Sequence, residues 1–474
     1  MRAHPAGPRH GDEVPHHATP RPESTESALD LDAGIWPASV RRNDSGALEI
    51  AGFDVRDLAT EFDTPYLALD VADLQTRARD YREAFADDAV SVDDQVNVYY
   101  AGKAFLSTAV ARWIHEQGLG IDVCTGGELE CALRADVPAS RLLFHGNNKS
   151  EDELRRALEV GVGRIVLDSF EDIARCEFLA AELGVQPKVL IRVTVGVEAH
   201  THEFIATAHE DQKFGFSLAS GTALEAVSRV LAVPNLELVG LHSHIGSQIF
   251  VASGFEVAAS RLVGLLVQIR DELGVELPEL DLGGGLGIKY TSEDEPLETK
   301  VIAADLHEIV RAKSESAGLS LPHLAFEPGR AIVGPTMMTV YRVGTVKSIE
   351  LDNGQTRTYV SVDGGMSDNL RTALYDAEYT VTLASRSSDA PLELARVVGK
   401  HCESGDIVVK DCWLPSDLAP SDLLAVAATG AYNRSMASNY NLIPRPPVIA
   451  VQDGVAKPIV RRETLDDVFA TDLG

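Results

Sequence analysis

The sequence predicts an α/β chain: a (β/α)8 barrel over residues 70–333, followed by a β-rich domain over residues 334–474. Three observations predict it. Eight short apolar runs recur along the chain with helix-periodic segments between them, the pattern of a parallel βα architecture. Residues capable of chemistry fall where those runs end. Past Gly334 the helical period stops and alternating, strand-like runs take over.

The elements follow in order. Residues 1–30 are rich in Pro, His and charge and lack an apolar segment, so they read as a disordered tail and not as a secretory leader. The tail's His4, His10, His16 and His17 are not expected to form a functional site. Residues 31–69 are mixed and end in Asp63-Thr-Pro65-Tyr-Leu-Ala-Leu69, a turn feeding a strand that is expected to join the β-rich domain. A helix over 71–85 comes next, with Leu74, Ala78, Tyr81 and Phe85 on one face. Strands are expected at 97–101, 120–123, 141–145, 164–168, 189–195, 238–245, 279–282 and 324–327, with helices such as 104–117, 127–134, 150–160 and 170–183 between them. In a closed barrel the chemistry sits at the C-terminal strand ends, and Lys103, Asp122, His145, Arg192, His244, Gly283, Gly284, Gly285 and Glu327 all fall there. The later domain is expected to carry strands at 338–346, 358–362, 378–383, 394–398 and 407–409.

Composition excludes several classes. A length of 474 residues suits one large barrel with a smaller partner. The most apolar stretch, 251–269, is broken by Glu256 and Arg261, so no membrane span is expected. A formal net charge of −30 argues against nucleic-acid binding, because such binding is driven by neutralising phosphates. Cys124, Cys131, Cys176, Cys402 and Cys412 show no metal-ligand spacing and are too few for a disulfide framework. A reduced, cytoplasmic setting fits.

The motifs are arranged around Lys103. A β-prone run over 97–101 ends at Gly102 and delivers the lysine at a strand's mouth. Apolar flanks can desolvate such an amine into its neutral form; a solvated surface lysine is the plain alternative. Asp281-Leu-Gly283-Gly284-Gly285-Leu-Gly287 follows a strand and exposes backbone N–H groups, as an anion cradle or a tight turn does. Ile288 stands where a dinucleotide fingerprint has its third glycine. Phe326-Glu327-Pro-Gly329-Arg330 ends the eighth strand. Arg330 and the glycines thus occupy the two loops that often form a barrel's phosphate site. Glu327 is suited to hold a pyridinium N–H and keep a pyridine ring protonated as an electron sink.

His242-Ser-His244 invites a metal reading, but no carboxylate or cysteine accompanies it at ligand spacing. A ring-stacking or core histidine fits better, and no metal site is expected. Glu198-Ala-His200-Thr-His202-Glu203 reads as a mobile loop between the fifth and sixth strands. In the second domain, His401-Cys402-Glu403-Ser-Gly-Asp406 offers either an exposed proton donor or a buried cysteine beside a turn. Gly430-Ala-Tyr432-Asn-Arg434 and Asp368-Asn-Leu-Arg371-Thr-Ala-Leu-Tyr375 add polar groups with no role evident on their own.

Together these stretches resemble the fold-type III pyridoxal-phosphate decarboxylases, and among them the diaminopimelate decarboxylases. The resemblance covers the chain from about residue 35 onward. It rests on Tyr100-Ala-Gly-Lys103-Ala-Phe, His145-Gly-Asn-Asn-Lys149-Ser, Gly196-Val-Glu-Ala-His200-Thr-His202, Lys213-Phe-Gly-Phe-Ser217, His242-Ser-His-Ile-Gly-Ser-Gln248, Glu327-Pro-Gly-Arg330 and Cys402-Glu-Ser-Gly-Asp406. Gly102 departs from it, standing where a serine or another small residue is usual, and residues 1–27 look like an addition. The resemblance implies an alanine-racemase-like barrel, pyridoxal 5'-phosphate as cofactor, and decarboxylation of meso-2,6-diaminopimelate to L-lysine and CO2, the last step of lysine biosynthesis. It implies that Lys103 carries the cofactor covalently and that Glu327 pairs with the pyridine nitrogen while His244 stacks on the ring. Gly283, Gly284, Gly285, Ser247, Gly329, Arg330 and Tyr432 would bind the phosphate region. Arg330, Arg371 and Tyr375, with Tyr432 beside them, would hold the substrate's distal carboxylate, and Glu403 its distal ammonium. Cys402 of the partner subunit, in a homodimer with shared active sites, would be the proton donor.

Rival readings account for less. An ornithine or arginine decarboxylase has no second substrate carboxylate for Arg371 to hold. An alanine racemase needs only a weakly protonated pyridine, which Glu327 argues against. A catalytically dead relative is expected to have lost Lys103, Cys402 or Glu327. A metal-dependent barrel hydrolase built on His242, His244 and Asp122 leaves the second domain and the phosphate loops unexplained.

Overall fold

The structure, a computed structural model, describes residues 30–86, 97–196, 213–351, 354 and 356–474. The expected tail, apart from Asp30, and the expected loop over 198–203 lie outside the described residues. The chain forms two compact units. One comprises Gln75–Gly287 and Pro296–Ile332, the other the described residues up to Leu74 with Ile288–Glu295 and Val333–Gly474.

The first unit is the barrel. Its strands are β1 (Tyr99–Ala101), β2 (Gly120–Val123), β3 (Leu142–Phe144), β4 (Arg164–Leu167), β5 (Lys188–Thr194), β6 (Glu237–His242), β7 (Glu279–Asp281) and β8 (His323–Ala325). Each pairs in parallel with the next in chain order. The path then closes on itself: Val98 bridges Phe326, Tyr99 N–H donates to Phe326 O at 2.8 Å, and Phe326 N–H to Asn97 O at 2.9 Å. Parallel neighbours demand crossover helices, and these have local signals at their ends. Ser107, Thr125, Ser150 and Ser169 each cap a helix N-terminus with a side-chain oxygen. Gly161, Gly184, Gly274 and Gly318 end helices in the left-handed conformation. Inside, Tyr99, Leu143, Val166, Leu190, Val239 and Ala325 form a buried cluster, so the barrel is filled and its chemistry is confined to the rim.

The second unit is built on one long strand, Met337–Glu350. Its first half pairs with Tyr66–Asp70 and Leu423–Val426, its second half with Thr356–Val362. Leu392–Val398 and Ile407–Pro415 extend the sheet on one side, Val448–Gln452 and Val455–Val460 on the other. Ile35, Trp36, Leu48, Leu58, Tyr66, Met338, Leu423 and Ile449 lie in its core. Three of these strands differ from expectation. Leu423–Val426 and Val448–Gln452 are apolar on both faces and so show no alternation, while Pro458 masks the edge strand Val455–Val460. The expected strand over 378–383 shrinks to Val381–Leu383. Among the described residues no helix is long and apolar enough to cross a membrane.

Candidate active site

β1 ends at Ala101, and a single tight turn, Gly102–Ala104, carries Lys103 beyond it. Gly102 must be small, since a Cβ there would lie 2.9 Å from Asp122 O. Gly102 and Ala104 are buried while Lys103 itself is exposed. Of the two readings of this lysine from sequence, exposure favours the solvated one, since burial depends on neighbours in space and not on those in sequence. The charge of Lys103 is felt by Asp122 and His244.

Glu327 follows β8 and is 4% exposed. Its Oε1 meets His145 Nε2 at 2.6 Å and lies 3.2 Å from His242 Nε2. Burial alone would push this carboxyl up, but the two imidazoles outweigh it and hold Glu327 well below the usual carboxylate range. His145 is brought down to about 4 by burial, against the pull of Glu327, so its ring is neutral at pH 7 and Nε2 is the N–H donor. Asp122 and Asp281, also buried, are pushed well above the usual range by burial and then by the charge of Glu327. Of these three carboxyls, Glu327 keeps the negative charge.

His242 thus does have a carboxylate beside it, contrary to the expectation from spacing, because barrel closure brings β8 to β6. The three groups lie within 4.8 Å of one another. A metal reading still fails on distance. Two ligand atoms at ~2.0–2.1 Å from one tetrahedral ion sit ~3.4 Å apart, whereas 2.6 Å between His145 and Glu327 is a hydrogen bond.

His244 follows β6, half-buried, and its Nδ1 accepts from Gly284 N–H at 3.2 Å. Burial, together with the charges of Lys103 and Arg192, keeps its ring neutral. Gly283 N–H donates to Asp281 Oδ1 at 2.8 Å. Two N–H groups of the expected anion cradle are therefore used within the fold, and the glycines answer to packing as well. A Cβ on Gly284 would lie 2.1 Å from Glu327 O, and one on Gly285 2.2 Å from Gly246 O. A Cβ on Gly329 would lie 2.7 Å from Ala101 O. Arg330 donates from Nη2 to Ser247 Oγ at 2.9 Å, joining the loops after β6 and β8. A buried anionic carboxylate, a neutral half-buried imidazole, an exposed lysine and a guanidinium–hydroxyl pair fit a planar phosphorylated cofactor.

In the second unit, Arg371 is buried at the start of the short helix Arg371–Tyr375. It donates to Tyr379 Oη at 2.7 Å and lies 4.5 Å over the Tyr290 ring. Sequence reasoning missed both tyrosines; Tyr375 ends the same helix, half-buried. Tyr432 is half-buried with a left-handed backbone, φ 64°. Cys402 and Glu403 are exposed, so the reading of a buried cysteine beside a turn does not hold. Their loop is braced by Asp406, which accepts from Met366 N–H at 2.6 Å and His401 N–H at 2.7 Å. Cys402 N–H donates to Asn441 Oδ1 at 3.2 Å.

Comparison with known proteins shows which family carries such a rim. Residues 71–334 match the pyridoxal-binding domain of the pyridoxal-dependent decarboxylases, and residues 249–430 match their C-terminal sheet domain. The chain belongs to this family of pyridoxal-phosphate enzymes. It is 53% identical to the diaminopimelate decarboxylase of Mycobacterium leprae over 478 aligned residues that span the whole of both chains. To the diaminopimelate decarboxylase of Bacillus subtilis it is 45% identical, over 91% of this chain and 97% of that one. Its fold is similar to the crystal structure of diaminopimelate decarboxylase from M. jannaschii in complex with L-lysine, at TM-score 0.84 and 30% identity, covering 92% of this chain and 98% of that one.

Proposed function

We propose that the chain decarboxylates meso-2,6-diaminopimelate to L-lysine and CO2, as a cytoplasmic homodimer whose active sites are shared between subunits. The observation that carries this reading is 53% identity, end to end, with a relative named for that activity. Bound pyridoxal phosphate supplies an electron sink for the pair left behind when the bond to the leaving carboxylate breaks. The chain's own residues do the rest. Glu327, anionic among neutral acids, holds a proton on the ring nitrogen and so sets the strength of the sink. Lys103, exposed just past the end of β1, would be the residue that holds the cofactor. His244, being neutral, can lie against the ring without opposing the pyridinium charge.

Arg330, Ser247 and the glycine loops hold the phosphate. Arg371, a permanent cation, takes the substrate's distal carboxylate with Tyr375 and Tyr432, and Glu403 takes the distal ammonium. The freed electron pair must end in a C–H bond, and the partner's Cys402 gives that proton.

The test is to incubate purified holoenzyme with meso-diaminopimelate, ornithine and arginine and to measure lysine and CO2. Lysine and CO2 in equal amounts from diaminopimelate alone are expected. A larger kcat/KM for ornithine or arginine would overturn the substrate. No visible cofactor absorbance after pyridoxal phosphate is supplied would overturn the whole reading.

A further inference from the structure

We propose that His145 is a positioning residue for the decarboxylation: it acts through Glu327, fixing that carboxylate in its ionised form toward the ring nitrogen of the cofactor. The inference rests on the reading of Glu327 as the ring-nitrogen partner. His145 stands at a strand end and heads one of the motifs that carry the resemblance, but neither gives it a role.

The contact itself is short, 2.6 Å from His145 Nε2 to Glu327 Oε1, with both groups buried. The ring is held from three sides. Its backbone N–H donates to Val123 O at 2.8 Å, which registers it against β2. Its ring packs edge-on against His242, centroids 4.7 Å apart. The loop that follows is pinned by Lys149, whose Nζ donates to Gly146 O and Val166 O at 2.7 Å each and to Asp172 Oδ2 at 2.6 Å. Gly146 takes φ +120° there, with a Cβ position only 3.2 Å from Cys124 O. The stretch His145-Gly-Asn-Asn-Lys149 is therefore a brace whose product is one fixed N–H donor.

That donor shares with His242 a job the other groups around Glu327 leave undone. Among the described residues, the groups around Glu327 include Asp122 from β2, Asp281 from β7, His242 at the end of β6 with His244 just past it, and Arg192 from β5, with Lys103 acting on Asp122 and His244. The two carboxyls compete with Glu327 for charge, and burial adds to the cost of ionising it. Donors on Oε1 are what keep the proton off Glu327, and a protonated Glu327 would have nothing to hold a pyridinium with. A merely structural histidine would show up only as lost stability.

The experiment compares H145L, H145Q and E327Q with wild type as holoenzymes. The readouts are cofactor absorbance as a function of pH, and kcat and KM for meso-diaminopimelate across the same range. H145L is expected to keep KM within about twofold, lose at least tenfold in kcat (about 1.4 kcal/mol), and shift the acid limb of both profiles upward by a unit or more. H145Q, whose amide can donate from a similar position, should recover most of both. If E327Q leaves the absorbance titration unchanged, the Glu327 assignment falls. If E327Q changes it while folded H145L titrates like wild type, or H145Q is as impaired as H145L, the role of His145 falls. Should H145L not fold, H145M replaces it; should neither fold, H145Q decides alone, since titration like wild type supports the role and titration like E327Q overturns it.

Discussion

Replacing Lys149 by methionine tests how much of the rim stands on one buried ion pair. Lys149 is 2% exposed, and its ammonium has three acceptors: Gly146 O, Val166 O and Asp172 Oδ2. Methionine matches its length and donates nothing. Removing one partner of a buried pair costs about 3–5 kcal/mol, because the remaining charge stays buried. Two carbonyls also lose a donor, at about 1 kcal/mol each. Against this, Asp172 still accepts Asp168 N–H at 3.2 Å and sits in the first turn of the helix Phe170–Leu183, which offsets about 0.3–1 kcal/mol. A net loss of about 4–7 kcal/mol is expected, read as a fall in the urea midpoint at unchanged slope, with the cofactor at fixed excess so that binding linkage is constant. Adding D172N removes the stranded charge and should recover more than half of the loss. A loss under about 1 kcal/mol, or a double variant no better than K149M, would refute the account of the brace.

Two further outcomes follow from single positions. G284A places a Cβ 2.1 Å from Glu327 O, so it should cost about 1–3 kcal/mol and most of the activity. G264A, in the helix Ser253–Leu273, meets nothing within 4 Å and should leave kcat unchanged and the melting temperature equal or higher. Asp368 is pushed up to about 7, by burial first and then by the charge of Asp406, although the Tyr341 hydroxyl and Gly365 N–H donate to it. Between pH 4 and 7 the native state thus binds a proton that the unfolded chain has released, and stability falls as pH rises through that window, by up to about 4 kcal/mol from this group. D368N should flatten that slope, and wild-type and D368N stability curves that run parallel in pH would refute it.

Much of the barrel is legible in the chain because its signals are local. Each expected run overlaps a strand, and several of the helices have a capping serine, threonine or glycine next to them in sequence. Lys103, His244, Glu327 and Arg330 are legible for the same reason: each stands just past a strand end. The partner of Glu327 is not, since His145 is 182 residues away and only barrel closure unites β3 with β8. The tyrosines against Arg371 come from residues 290 and 379, again without a local mark. The strands after residue 420 are hidden by being buried on both faces, where alternation vanishes.

The strand Tyr66–Asp70 pairs with Met337–Glu350 and Val448–Gln452, and the barrel is encoded between it and both. On the ribosome the barrel strands emerge in the order in which they become neighbours, so each finds its partner already made. Tyr66–Asp70 has no such luck. The roughly 270 residues between Leu69 and its partner Met337 take some 13–50 s to synthesise at about 5–20 residues per second. Through that interval five residues that end fully buried are an open, sticky edge, a target for chaperones or for the same segment of a neighbouring nascent chain. A truncation before Met337 would make that wait permanent, and one between Glu350 and Val448 would leave one of the strand's two edges open. The early strand, more than the barrel that follows it, sets the shortest message from which a well-behaved polypeptide can be released.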